Sequence, residues 1–377
     1  MNRKAYRILL LAAILCMAGG IFLKKNSAAY EIVNGNLKEA AATEAKEATE
    51  TQGTKETKAF ETEKDWIRWV DFSVSYEALC AASEADIRLH ETETPVDWID
   101  LLAVTAAKSG GSFGKKETAA INELAKLLEE GRTTIEKESR GLKYYDYYKE
   151  AYSAVLSEYI GEYQFEEKDG SGNVGQVKGY GLKAFSPIAK GFPYQDYDDF
   201  GVSRSYGYKR RHLGHDMMGQ IGTPIIAVES GTVECLGWNR YGGWRIGIRS
   251  FDKKRYYYYA HLRQNYPYAE GLKEGDKVFA GQVIGYLGHT GYSTRENVNN
   301  IDEPHLHFGI QLIFDESQKE GNHEIWIDCY ALVRFLYQNQ SRVVKVEGTR
   351  EWISSYTRSS VPEQSEEIER KDCIFRW

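Results

Sequence analysis

The chain has 377 residues, 42% hydrophobic and 27% charged, enough for two modest folded domains with tails. Its formal net charge of −7, with no basic stripe carrying interleaved aromatics, argues against nucleic acid as a partner. Five cysteines (Cys16, Cys80, Cys235, Cys329 and Cys373) form no CxxC pair, so neither a disulfide framework nor a cysteine-zinc motif is expected.

Arg3, Lys4 and Arg7 precede an apolar run from Ile8 to Leu23, which Lys24 and Lys25 close. A basic segment followed by such a run directs export. Residues 1–25 read either as a cleaved signal peptide, with Ser27, Ala28 and Ala29 as the cleavage site, or as an uncleaved membrane anchor. The run is short against the ~20 apolar residues of a usual span, and the lysines spoil the cleavage site. Both readings place the rest of the chain outside the cytoplasm, anchored or secreted. Residues 26–64 are rich in Ala, Glu, Thr and Lys and cannot bury much apolar surface, so they read as a disordered linker.

From Trp66 to about Phe165 the periodicity is helical. "VDWIDLLAVTAAKSGG" ends on glycines, "KKETAAINELAKLLEEG" repeats the pattern, and "YYDYYKEAYSAVLSEYIGEY" is a further helix with an aromatic stripe. Residues 65–165 are therefore expected to form a helical domain, without chemistry of its own and open to a protein partner. A Gly-rich junction follows. From about Gly181 to Asp315 short runs such as "TPIIAV", "WRIGIRS", "RYYYYAHL" and "HLHFGIQLIF", punctuated by Gly, Asn and Asp, predict an all-β sandwich or partly open barrel. "EIWIDCYALVRFLYQNQ" reads as one amphipathic helix on that β domain, giving a unit over 181–340, and 341–377 reads as a polar C-terminal tail. The fold class is thus α+β, a helical N-terminal domain followed by an antiparallel all-β domain.

Seven of the eight histidines lie from His212 to His323. In a strand, alternate side chains face opposite ways, so Leu306, Phe308 and Ile310 point to a core and His305 and His307 share the other face. The same alternation in "RYYYYAHL" puts His261 on the face of Tyr257 and Tyr259. His212 and Asp216 flank Gly214, a segment that can fold both side chains onto one ion. Three protein ligands of His and carboxylate type plus a water make a catalytic zinc site. Spare histidines beside it would supply a proton shuttle and steady an oxyanion. His215 reads as pocket lining or surface, His289 as a turn residue and His323 as an exposed loop residue.

The ordered set "HLGHD", "GTPIIAVESGTV", "YYAHL", "EGDKVFAGQVIGYLGHTG" and "HLHFGI", spanning about Phe200 to Gln311, resembles the lysostaphin/LytM-type zinc metalloendopeptidases, the duplicated hybrid motif peptidases that hydrolyse peptidoglycan. The resemblance implies Zn2+ held by His212, Asp216 and His307, His305 as general base, and His261 as the second catalytic histidine. It matches Tyr206 to a tyrosine that contacts substrate. It implies an antiparallel β domain with a narrow groove over the metal, and peptidoglycan cross-links or stem peptides as substrate. The segment Tyr292 to Pro304 departs from the family, whose loop here is short; a longer loop would shape substrate choice or restrict access. Two other readings stand beside the endopeptidase: an envelope or sporulation scaffold without turnover, and an exported peptidase with a target other than wall.

Overall fold

The structure is a computed structural model that describes residues 66–168, 174–205, 209–319, 323–355 and 359–360. The export segment 1–25, the linker 26–64 and Tyr206 lie outside the described residues. Among the described residues no helix is long and apolar enough to cross a membrane.

Among the described residues five helices come first: α1 (Tyr76–Leu89), α2 (Trp98–Ser109), α3 (Lys115–Glu129), the short α4 (Ile135–Ser139) and α5 (Tyr145–Leu156). Their ends follow from local chemistry. The Asp97 carboxylate accepts the Ile99 N–H at 2.7 Å and starts α2; Gly110, at φ +71°, supplies the left-handed residue that stops it. Ser75 caps α1 by accepting the Ala78 N–H at 3.3 Å. The helical periodicity predicted through Phe165 does not hold to its end. The chain leaves helix at Leu156, and Ile160–Lys168 is a strand, β1, paired antiparallel with β2 (Val174–Leu182). Tyr163 and Phe165, two residues apart, stack their rings at 6.1 Å on one face of this ribbon. Aromatic residues suit a pleated surface, and cross-strand pairing outweighs the helical pattern of the preceding turns.

The β region follows as β3 (Gln195–Asp196), β4 (Ser203–Ser205), β5 (Lys209–Arg211), β6 (His215–Met218), β7 (Pro224–Ile226), β8 (Gly231–Asn239), β9 (Gly243–Ser250), β10 (Arg255–Ala260), β11 (Lys277–Val278), β12 (Val283–Tyr286), β13 (His305–Leu312) and β14 (Ile325–Trp326). The main sheet runs β11-β8-β9-β10-β13-β6-β3, with β14 also on β13 and every pairing antiparallel. β4 and β5 form a separate ribbon beside it. The helix expected from Glu324 onward is shorter than read. Ile325 and Trp326 extend against Leu312 and Gln311, and only Tyr330–Leu336 (α6) is helical, opened by the Asp328 carboxylate accepting the Tyr330 N–H at 2.9 Å. The tail read from 341 onward also carries structure: β15 (Val343–Lys345) and β16 (Trp352–Ser354) form a hairpin, with Trp352 edge-on to Phe192 at 5.1 Å.

One hydrophobic core joins the helices to the back of the main sheet, including Leu79, Leu101, Leu102 and Val155 from the helices and Tyr257, Tyr259, Phe308 and Ile310 from the strands. Trp98 stacks on Phe335 of α6 at 5.8 Å. Arg255 is fully buried in this seam. Its guanidinium grips Glu229 through two hydrogen bonds of 2.8 and 3.1 Å, binds Asp252 at 2.8 Å, and donates to the Ala154 carbonyl at the end of α5 at 2.7 Å. The opposite face of the sheet is left to β13's histidines.

Candidate active site

The site is built on the pairing of β6 with β13, which sets His307 directly across from Asp216 and His305 across from Met218. Alternation along β13 turns His305 and His307 forward while Leu306, Phe308 and Ile310 enter the core. The loop before β6 brings in His212. Three atoms then form a triangle: His212 Nε2 to Asp216 Oδ1 is 3.1 Å, His212 Nε2 to His307 Nδ1 is 3.1 Å, and His307 Nδ1 to Asp216 Oδ1 is 2.9 Å. Three such ligands on one face of a tetrahedron, at the bond lengths of zinc, would stand about 3.3 Å apart. A cation could enter with a few tenths of an ångström of expansion. These are the residues that could hold a metal among the described residues.

Gly214 makes the approach possible. A Cβ there would lie 2.6 Å from both Cε1 and Nε2 of His307 and 2.8 Å from the Phe308 carbonyl oxygen. Around the triangle lies a second ring of contacts. The Asp199 carboxylate lies 3.0 Å from His212 Nδ1, placed to accept an N–H from that atom. With hydrogen on Nδ1, Nε2 is left as the ring's acceptor and faces the triangle, beside the Asp216 oxygen. Such crowding of acceptors suits a cation. Arg204 pairs with Asp199 and sets Nη1 2.7 Å from Asp216 Oδ2, close enough for an ion pair but off the line of a hydrogen bond. Burial works to raise the Asp216 carboxyl, but its short contacts with the rings of His212 and His307 outweigh that and hold it well below the usual carboxylate range. Burial lowers His307, partly offset by Asp216.

His261 reaches the same groove by a route that alternation does not describe. Tyr257 and Tyr259 pair across from Ile310 and Phe308 on the core face, so the face assigned to His261 from its strand is wrong. The strand ends at Ala260, and His261 sits at φ +62°, a left-handed conformation rare outside glycine, which swings its ring forward. Its ring centroid lies 4.7 Å from that of His305 and 5.8 Å from that of His307. Its Nδ1 is 2.9 Å from the Thr290 carbonyl, and Nδ1 of His305 is 2.8 Å from the Glu303 carbonyl. A carbonyl only accepts, so both Nδ1 atoms carry hydrogen, and Nε2 is the nitrogen left to act as the acceptor of each ring. His305 Nε2 lies 3.7 Å from Asp216 Oδ1, beside the triangle. Burial, then the proximity of His305 and His307, holds His261 well below its ordinary value.

The remaining sequence candidates fall elsewhere. His215, read as pocket lining or surface, pairs across from Phe308 and is buried behind the site, with Nε2 3.1 Å from Asp196 Oδ2 and its ring against Tyr330. His289 is half-buried and bonds the Ile301 carbonyl at 2.9 Å, while His323 is exposed. Asp199 and Arg204 were not singled out from sequence, because they lie in an aperiodic stretch whose only signal is charge ahead of His212.

The loop 292–304 is pinned to the body. The Asn297 Oδ1 accepts from Trp244 Nε1 and the Asn265 N–H, both at 2.9 Å, and its own carbonyl accepts from the Gln264 amide at 2.6 Å. Asn297 takes φ +59°, which asparagine tolerates better than most residues.

An antiparallel sheet carrying a His–Asp–His triangle and two further histidines defines the class of a β protein with a candidate metal centre. Residues 210–322 match Peptidase family M23, which bears out, for that segment, the resemblance to lysostaphin/LytM-type peptidases. The L-Ala–D-Glu endopeptidase of Bacillus subtilis is 36% identical over 154 residues, 41% of this chain and 44% of that protein. The lysostaphin of Staphylococcus staphylolyticus is 42% identical over 98 residues, 26% of this chain and 18% of that protein. Among solved structures, a Ruminococcus gnavus chain whose name includes the words "glycyl-glycine endopeptidase lytM" aligns at 24% identity with a TM-score of 0.48, covering 73% of this chain and 92% of its own. The chain thus spans under half the length of these two curated relatives.

Proposed function

We propose that this protein is a zinc-dependent endopeptidase that hydrolyses peptide bonds of peptidoglycan outside the cytoplasm. The observation that carries the reading is the triangle of His212, Asp216 and His307 donor atoms, 2.9–3.1 Å apart, with the Nε2 of a tautomer-fixed His305 beside it. The nitrogen and oxygen donor set suits zinc, with Asp199 and Arg204 orienting it. Bound there, zinc would polarise a carbonyl and bring the pKa of a water to about 7.

The chain's own residues do the rest. His305 takes a proton at Nε2 from the attacking water and returns it to the leaving amine nitrogen. His261 stands as the second catalytic histidine by family resemblance, its ring centroid 4.7 Å from that of His305. Tyr206 stands as a substrate contact by family resemblance alone. The scaffold reading has no observation in its favour, since the donor set and both neighbouring histidines are intact.

The test is mass spectrometry of muropeptides after purified wall is incubated with the full chain. New peptide cleavage that a zinc chelator abolishes is expected. His305→Ala should retain zinc while losing turnover by on the order of 100-fold or more, whereas Asp216→Ala should lose both. Zinc-loaded protein that leaves wall intact would sink the endopeptidase reading, and full activity in His305→Ala would sink the role given to that residue.

A further inference from the structure

The β4–β5 ribbon pairs Arg204 directly with Arg210, so both guanidiniums leave one face of it. Their surroundings differ. Arg204 is neutralised by Asp199 and Asp216. Arg210 makes no ion pair with an acidic residue among the described residues. It is half-buried, 5.4 Å from the ring of Tyr241 and 5.1 Å from that of Tyr292, and donates to the Tyr292 hydroxyl. The Tyr292 ring in turn lies 6.0 Å from that of His261. A planar cation held between two rings, one ring away from the histidines of the site, is pre-oriented at little entropic cost. A guanidinium fork of this kind matches a carboxylate, and the neighbouring rings lower the local polarity and strengthen the pair.

We propose that Arg210 binds a free carboxylate of the substrate beside the scissile amide, making it the residue that selects acidic peptides. This deepens the endopeptidase reading and rests on it. Peptides in which glutamate is linked through its side-chain carboxyl meet the requirement, because the α-carboxylate then stays free next to the bond on its amine side. Tyr292 opens the long loop, so the added segment places one wall of this subsite. The pinning of that loop through Asn297 keeps the wall in position.

The test compares alanyl-γ-D-glutamyl-lysine with its counterpart in which the α-carboxylate is an amide. Affinity is measured by calorimetry on the zinc-loaded full chain carrying His305→Ala, and hydrolysis on the chain with His305 intact. The acid should bind more tightly by about tenfold or more, the range of a charge-assisted hydrogen bond. Adding Arg210→Gln should bring the ratio of the two affinities close to one, and Arg210→Lys should restore part of it. Unchanged melting temperatures keep misfolding out of the comparison. Equal affinities in the Arg210 background, no binding of either peptide, or a preference that survives Arg210→Gln overturns the assignment. An intact, Arg210-dependent preference in a zinc-loaded chain that leaves both the peptide and purified wall uncleaved upholds the carboxylate site and overturns the endopeptidase reading, so the two can fail separately.

Discussion

A single missing methyl group decides how closely His307 can approach its partners. With a Cβ at position 214, both an edge of the His307 ring and the Phe308 carbonyl would be met at under 3 Å, and the carbonyl belongs to a strand that cannot yield. The ring would have to move out of the triangle. Gly214→Ala is therefore expected to fold but to lose zinc affinity by at least about 10-fold, comparable to losing an orienting partner of a ligand. Competition with a chromogenic chelator measures it, and wild-type affinity would remove Gly214 from this role. At this scale the sequence was readable where backbone periodicity holds. His305 and His307 face one way because β13 is regular, and the apolar residues between them announce it. His261 was read onto the face of Tyr257 and Tyr259, and that inference fails because a residue at φ +62° ends the alternation. Asp199 and Arg204 escaped notice since their contacts join segments with no period to read.

Among the elements, the loop 292–304 behaves as a fixed wall. Asn297 ties it to Trp244, Asn265 and Gln264 with four hydrogen bonds, one of them from its own side-chain amide to Asn265. Asn297→Ala removes three of these and places a residue with little tolerance for left-handed φ at +59°. The expected result is faster proteolytic nicking within 292–304, severalfold over wild type, with little change in global unfolding. Unaltered nicking would mean that other contacts hold the loop. The secondary-structure errors also belong to this scale. β1 was hidden because Ile160, Tyr163 and Phe165 continue an aromatic-rich helical stripe, and only pairing with β2 reveals them as extended. Ile325 and Trp326 fit a helical pattern for the same reason, and only their pairing with Leu312 and Gln311 of β13 reveals them as extended.

Across the whole molecule, the helices and the sheet are bound by charge as well as by apolar packing. Arg255, fully buried, bridges Glu229, Asp252 and the α5 terminus. Removing it leaves the Glu229 carboxylate buried without its counter-charge. Arg255→Met should cost about 3–5 kcal/mol, read from denaturant unfolding, and adding Glu229→Gln should recover part of the loss. A cost under about 1 kcal/mol would show that the pair does not hold the seam. The alternation of helical and β-rich composition along the chain made both layers visible from sequence. Their shared core was not visible, because each amphipathic face looks alike until its partner is known.

The two carbonyls that fix the tautomers of His261 and His305 belong to Thr290, just before the long loop, and Glu303, at its far end. The loop therefore divides into an exchangeable interior and two fixed rims. The interior of the loop, Tyr292 included, is open to exchange, and with it the preference for one peptide over another. The two rims are not, because shifting either carbonyl would change which nitrogen of a histidine carries the proton. A transplant of this loop between relatives should succeed when cut inside those rims and silence hydrolysis when cut across them.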